Sequence, residues 1–188
     1  GLKGIDESCK DCSRAWFVPA VPPSGFYVAD QAEGDALNVD AVLSIDPQNL
    51  QAIKTLERLR KAQGRWDELI GVVDKHIALL THPAEKAELC VEMGDIFHQQ
   101  LKQVDRAVTA YHQALELDPR CRPAMHALGM LYERSGNWPF ALDMLEKEAQ
   151  AAGPTPEAVE LYHRMGKINE DMLIDPSSAK RCYQEALK

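Results

Sequence analysis

Thiols, imidazoles and carboxylates are the side chains here that could do chemistry, and their spacing decides whether they do. Cys9-x2-Cys12 has the spacing of half a zinc site or of a redox pair, and paired thiolates are the soft donors such a site needs. No second Cys-x2-Cys follows, and no histidine stands directly after Cys12 as haem attachment requires. The pair therefore reads as two ordinary thiols, with a metal or redox role as the alternative. Cys90, Cys121 and Cys182 are scattered through helical sequence, where a lone cysteine acts as a small apolar core residue. That usage mildly favours a reducing, cytoplasmic compartment over a disulfide-framed one. The histidines at 76, 82, 98, 112, 126 and 163 form no His-x3-His pair on one helix face. Neither a nucleophile elbow nor a phosphate-binding glycine loop occurs. The expectation is a protein that is not an enzyme and carries no cofactor.

Charge narrows the classes of partner. With 29 acidic and 21 basic residues among 188, the net charge of -8 opposes the attraction that non-specific nucleic-acid binding requires. No stretch approaches the roughly 20 apolar residues that cross a bilayer, so no membrane insertion is expected. The charge is uneven: residues 1–47 hold three basic against eight acidic side chains. Prolines and aromatics cluster in the same region, around Trp16, Phe17, Pro19, Pro22, Pro23, Phe26 and Tyr27. A Pro-Pro pair fits neither a helix interior nor a central strand. Residues 1–35 are thus expected to be an extended acidic arm, with Trp16, Phe17, Phe26 and Tyr27 as its contact residues. Lacking lysine and arginine from Gly25 to Pro47, it could fold back onto basic side chains further along the chain.

Residues 36–188 are organised by internal similarity. Met125-x2-Leu128-Gly129-x2-Tyr132 is followed by Ala141-x3-Leu145. Cys90-x2-Met93-Gly94-x2-Phe97 is followed by Ala107-x3-Tyr111 and closes at Asp118-Pro119. Tyr162-x2-Met165-Gly166-x2-Asn169 is followed by Ala179-x3-Tyr183. The weakest copy is Ile53-x2-Leu56-Glu57-x2-Arg60 with Leu69-x3-Val73, where Glu57 and Arg60 replace the small and aromatic members, so it should pack less regularly. In each copy, apolar residues at i, i+3 and i+7 make one stripe of an amphipathic helix, and a small residue at i+4 lets a second helix approach. Gly94, Gly129 and Gly166 are accordingly expected at close helix crossings. Gln63-Gly64 and Ser135-Gly136 supply turns between paired helices. A single pair leaves apolar surface on both sides, so pairs must stack. The units begin near Leu50, Ala87, Arg122 and Val159, and residues 36–45 read as half of an earlier pair. Trp66 and Trp138, Gly94 and Gly166, Ala107 and Ala179, and Tyr111 and Tyr183 all lie 72 apart. That offset points to two repeats, not one, as the unit of duplication.

Over residues 48–188 the pattern resembles the tetratricopeptide repeat, with its Trp-x2-Leu-Gly-x2-Tyr, Ala-x3-Phe and terminal proline signature. The resemblance implies an all-α fold: a right-handed superhelical solenoid of eight antiparallel helices, here preceded by the arm. It also implies a concave groove lined by positions 2, 5, 9 and 12 of each first helix. Carried across, the groove residues are Lys54, Arg58 and Lys61 in the first repeat, and Asp95 and His98 in the second. His126 and Met130 follow in the third, then His163 and Lys167 in the fourth. The lysine, asparagine and arginine clamp by which family members hold chaperone C-termini needs asparagines where this chain has Arg58 and Glu92, or Asp95 and Ala127. It is absent. The implied function is that of a scaffold or adaptor gripping a segment of another protein. The alternative is a structural subunit of a multi-subunit assembly, bound through the arm and the solenoid ends.

Overall fold

The computed structural model describes residues 39–187, which are helical with no strand among them. A short α1 (Val39–Ile45) precedes four helix pairs: α2 (Leu50–Ala62) with α3 (Trp66–Leu79), and α4 (Pro83–Asp95) with α5 (Val104–Leu117). The third and fourth pairs are α6 (Arg122–Arg134) with α7 (Trp138–Ala152), and α8 (Pro156–Asp171) with α9 (Pro176–Glu185). Helix starts are written in the sequence. Pro83, Pro156 and Pro176 open their helices, where proline has no hydrogen bond to lose. Side-chain oxygens of Asn49, Thr155 and Asp175 accept from the first free backbone N–H groups.

Each helix packs on its pair and on the next pair, so the core is a row of apolar clusters along the chain rather than a central ball. Ile53, Leu69, Val73, Tyr111, Leu128 and Leu145 are fully buried along that row. Each such aliphatic side chain contributes about 1.5–3 kcal/mol through burial. α1 covers the first repeat, its buried Val39 packing with Ala52, Ile53, Leu56 and Val72.

Two kinds of pair alternate. In the first and third, the helix ends in a five-residue bond, Arg65 N–H to Arg60 C=O at 3.0 Å and Asn137 N–H to Tyr132 C=O at 2.8 Å. The turn then passes through Gly64 and Gly136 at φ of 68° and 73°, the left-handed region that glycine enters without cost. In the second and fourth, the turn is one residue longer. The added residue widens the helix end: the closing bond now spans six residues, from Gln103 N–H to Phe97 C=O and from Asp175 N–H to Asn169 C=O, both at 2.8 Å. After α4 this widening is a full π-helical turn, Ile96–Gln100. Lys102 and Ile174 hold the left-handed position at φ of 57° and 53°, which is costly for a β-branched side chain such as Ile174.

The same alternation governs the small residues. A methyl at Gly94 would lie 2.5 Å from Tyr111 Cε1, and one at Gly166 would lie 2.7 Å from Tyr183 Cδ1. Gly129 differs from the sequence expectation: its nearest neighbour would be Met144 Cβ at 3.7 Å, an ordinary contact. The aliphatic Leu145 stands where the other two pairs carry a tyrosine ring, so that crossing is looser. In the first pair Glu57 takes the glycine's place and meets His76 Nδ1 at 2.8 Å.

Candidate functional site

On α2, α4, α6 and α8, positions 3, 4, 7 and 10 face neighbouring helices, which leaves positions 2, 5 and 9 as the outward row. Lys54 and Arg58 are exposed on α2, His126 and Met130 on α6, and His163 and Lys167 on α8. Val91 and Asp95 are half-buried on α4. Within each helix these residues stand four apart, one above the other on one face. Lys54 and Lys167 make no ion pair with the described residues, whereas several of their neighbours are engaged.

Lys61 is one of the engaged side chains. Its Nζ lies 2.7 Å from Glu92 on α4, so one cation of the basic cluster expected on α2 is answered inside the protein. The equivalent position 72 residues on is Glu133, paired at 2.6 Å with Arg164. The two bridges have the same place and opposite polarity, each joining position 12 of one first helix to position 6 of the next. Asp95 accepts a 2.7 Å hydrogen bond from the Tyr111 hydroxyl. Burial, then that bond, push the Tyr111 phenol well above its ordinary range, and the bond ties Asp95 to the core. His98 Nε2 lies 3.4 Å from Arg134. His126 rests on the buried Glu148, with Nδ1 3.2 Å from Oε1. His163 meets the Tyr183 ring in a tilted contact, with centroids 5.5 Å apart.

Trp16, Phe17, Phe26, Tyr27, Cys9 and Cys12 lie outside the described residues. Among the described residues, no group of three or more His, Cys, Asp or Glu side chains is placed to hold a metal ion. Cys90, Cys121 and Cys182 are buried, and burial raises all three thiols above their usual value. They are poor nucleophiles and behave as core residues.

The tetratricopeptide repeat profile matches residues 52–87 and 124–157, and a second profile of the same repeat matches residues 87–121. The chain belongs to the tetratricopeptide repeat family. No curated protein sequence matches it. Among solved structures, one titled as the crystal structure of MamA is 22% identical, covers 79% of this chain and 82% of that one, and has a TM-score of 0.57. A structure from a functional characterisation of Pseudomonas aeruginosa pilF is 19% identical, covers 78% of this chain and 69% of its own, and has a TM-score of 0.54. At such identities the likeness is one of fold.

Proteins of this repeat family are interaction scaffolds, and in their fold the first helices line the inner face of the solenoid. The position 12 to position 6 bridges were missed by sequence reasoning, although both pairs are 31 residues apart. Opposite charges recurring at that offset, and again 72 residues on, are the signal that finds them.

Proposed function

We propose that this chain holds a segment of another polypeptide in the concave groove formed by α2, α4, α6 and α8. The row of solvent-facing Lys54, Arg58, His126, Met130, His163 and Lys167 carries this reading, because it runs through three of the four repeats on one face of each helix. Such a row offers charge, imidazole donors and one large apolar contact, Met130, with 45% of its surface exposed. A bound strand in extended conformation would meet one repeat after another, and its side chains would alternate between groove and solvent. Met130→Arg adds bulk and charge on an exposed surface, so the fold should survive it. Affinity capture of the partner by wild-type protein and its loss with Met130→Arg is the expected pair of results. Equal capture by Met130→Arg and by Lys54→Glu would sink the groove.

A second reading has its own observation. Met172, Leu173 and Ile174 are exposed together at the α8–α9 turn, with Ile174 82% exposed in a left-handed conformation. An apolar tip of this kind suits burial on another subunit of an assembly. Under that reading Ile174→Asp, rather than Met130→Arg, disrupts the complex.

A further inference from the structure

We infer that the chain pairs with a second copy of itself along the edge where the two helices of each pair are joined, the turn of its second pair meeting the turn of the partner's fourth. The inference rests on the second reading above, the exposed tip, and names the tip's partner; the groove is a separate matter. Short turns join antiparallel neighbours, so α2, α4, α6 and α8 run in one direction and the joining turns share one edge of the stack. Exposed apolar side chains gather on three of those turns: Val104 at the second, Phe140 at the third, and Met172, Leu173 and Ile174 at the fourth. The first turn is polar and self-contained, with Glu68 paired to both Arg60 and Arg65.

The second and fourth turns correspond residue for residue, 72 apart, yet they are opposite in charge. Residues 98–106 hold Lys102 and Arg106 against Asp105, 2 minus 1, or +1. Residues 170–178 hold Glu170, Asp171 and Asp175 and no base, or -3. Arg106 lies over the Phe97 ring and Glu170 accepts from the Tyr183 hydroxyl, contacts that leave both charges in place. Lys102 and Asp171 are exposed. Lys102 and Ile174 occupy the same left-handed place. The lysine shows that a polar side chain closes this turn, so an exposed isoleucine there is a cost that the turn itself does not require.

Between the two stands the third turn, uncharged over residues 135–140, with the Phe140 ring against Tyr132 and more than half exposed. A two-fold axis through this turn makes the edge self-complementary. It lays the basic turn of one copy on the acidic turn of the other, twice, and brings the two Phe140 rings together at the axis. Met172, Leu173 and Ile174 are then covered by Val104 and the aliphatic stem of Lys102. An anionic membrane would repel the acidic tip, whereas the second turn of another copy attracts it. Three turns a side make a small interface, so pairing is expected at micromolar concentrations and above, and is weakened by salt.

Sedimentation velocity of the full chain, at 50 and 300 mM salt and over a hundredfold range of concentration, reads the pairing. A dimer that grows with concentration and recedes with salt is the expected result. Gln99→Glu with Lys102→Glu makes the basic turn acidic, and Glu170→Lys with Asp171→Lys makes the acidic turn basic. Each double variant should self-associate at least tenfold more weakly than wild type. An equimolar mixture of the two should recover the dimer, because each then meets its opposite charge at both turns. Phe140→Ser should weaken pairing as well, and Lys75→Glu, on the exposed side of α3, should change it less than twofold. Circular dichroism verifies that each variant keeps its helices. A wild-type chain that stays monomeric throughout, or charge variants that pair no better mixed than apart, would overturn the self-pairing. The tip reading fails by a different result, a native complex left unchanged by Ile174→Asp.

Discussion

Gly94→Ala and Gly129→Ala are chemically the same change at the same place in successive repeats, yet they should shift stability in opposite directions. Alanine improves helix propensity by about 1 kcal/mol at either site. At Gly129 the new methyl meets Met144 Cβ at 3.7 Å and Leu145 at 3.8 Å, so nothing has to move. The expected net effect is a gain of about 1 kcal/mol, read as a rise in Tm of about 2–4 °C. At Gly94 the methyl would sit 2.5–2.8 Å from three atoms of the Tyr111 ring, about 1 Å inside ordinary contact. Tyr111 is 1% exposed and its hydroxyl is tied to Asp95, so the ring has little room to retreat. Overpacking of this kind costs about 1–3 kcal/mol, and loosening a hydrogen bond to a carboxylate adds about 1 kcal/mol or more. After the propensity gain, a net loss of about 1–3 kcal/mol remains. Thermal unfolding followed at 222 nm measures both variants. Tyr111→Leu copies the third repeat, where Leu145 faces Gly129, and should cost less in Gly94→Ala than in the wild type. Parallel rises in Tm for both alanine variants, or additive behaviour of Gly94→Ala and Tyr111→Leu, would refute the assignment of two kinds of crossing.

Ile174→Gly should raise stability by about 1–2 kcal/mol, because it relieves a left-handed β-branched residue whose side chain is 82% exposed and loses little packing; a lower Tm would show that the tip is supported from elsewhere. Lys61→Glu and Glu92→Lys should each lower stability slightly and largely restore it in combination, with a coupling of about 0.2–1 kcal/mol because both side chains are about half exposed. Zero coupling at 50 mM salt would remove the bridge as a link between repeats. Burial raises the thiols of Cys90, Cys121 and Cys182, so the folded state holds these protons more tightly than the unfolded one. Their contribution is therefore complete below the ordinary thiol value of 9.0 and declines as pH rises above it. Tyr111 acts in the same direction above its ordinary value of 10.0. Tm should fall from pH 9 to 11, and Tyr111→Phe should flatten the upper part of that fall; an unchanged slope would assign the alkaline loss to other groups.

The helix pairs were legible because apolar periodicity and turn residues report on local structure directly. Ile53, Leu56, Leu128 and Met165 could be placed in the core by spacing alone, and Gly64 and Gly136 marked the turns. Side-chain partners across repeats were not legible, since nothing local to Lys61 announces Glu92. A run of basic side chains on α2 was readable as one face, but its reduction by pairing was not. Gly129 shows the same limit: its neighbours in sequence match those of Gly94, and only the residue packed opposite, Leu145 or Tyr111, sets how close the helices come. Of the outward row, the sequence pattern marked the candidate positions, and the structure adds which of them are engaged.

Photo-crosslinking from three positions tests the proposed groove most directly. A benzoylphenylalanine replaces Val91 in the inner row, Gln113 on the exposed side of α5, or Ile174 at the apolar tip, and each protein is irradiated together with its partner in the native source. Adduct formation from Val91, mapped by mass spectrometry to one stretch of the partner, with little from Gln113 or Ile174, is the expected result. Adducts from Gln113 or Ile174 and none from Val91 would contradict it and place the contact on the outer face or the solenoid end.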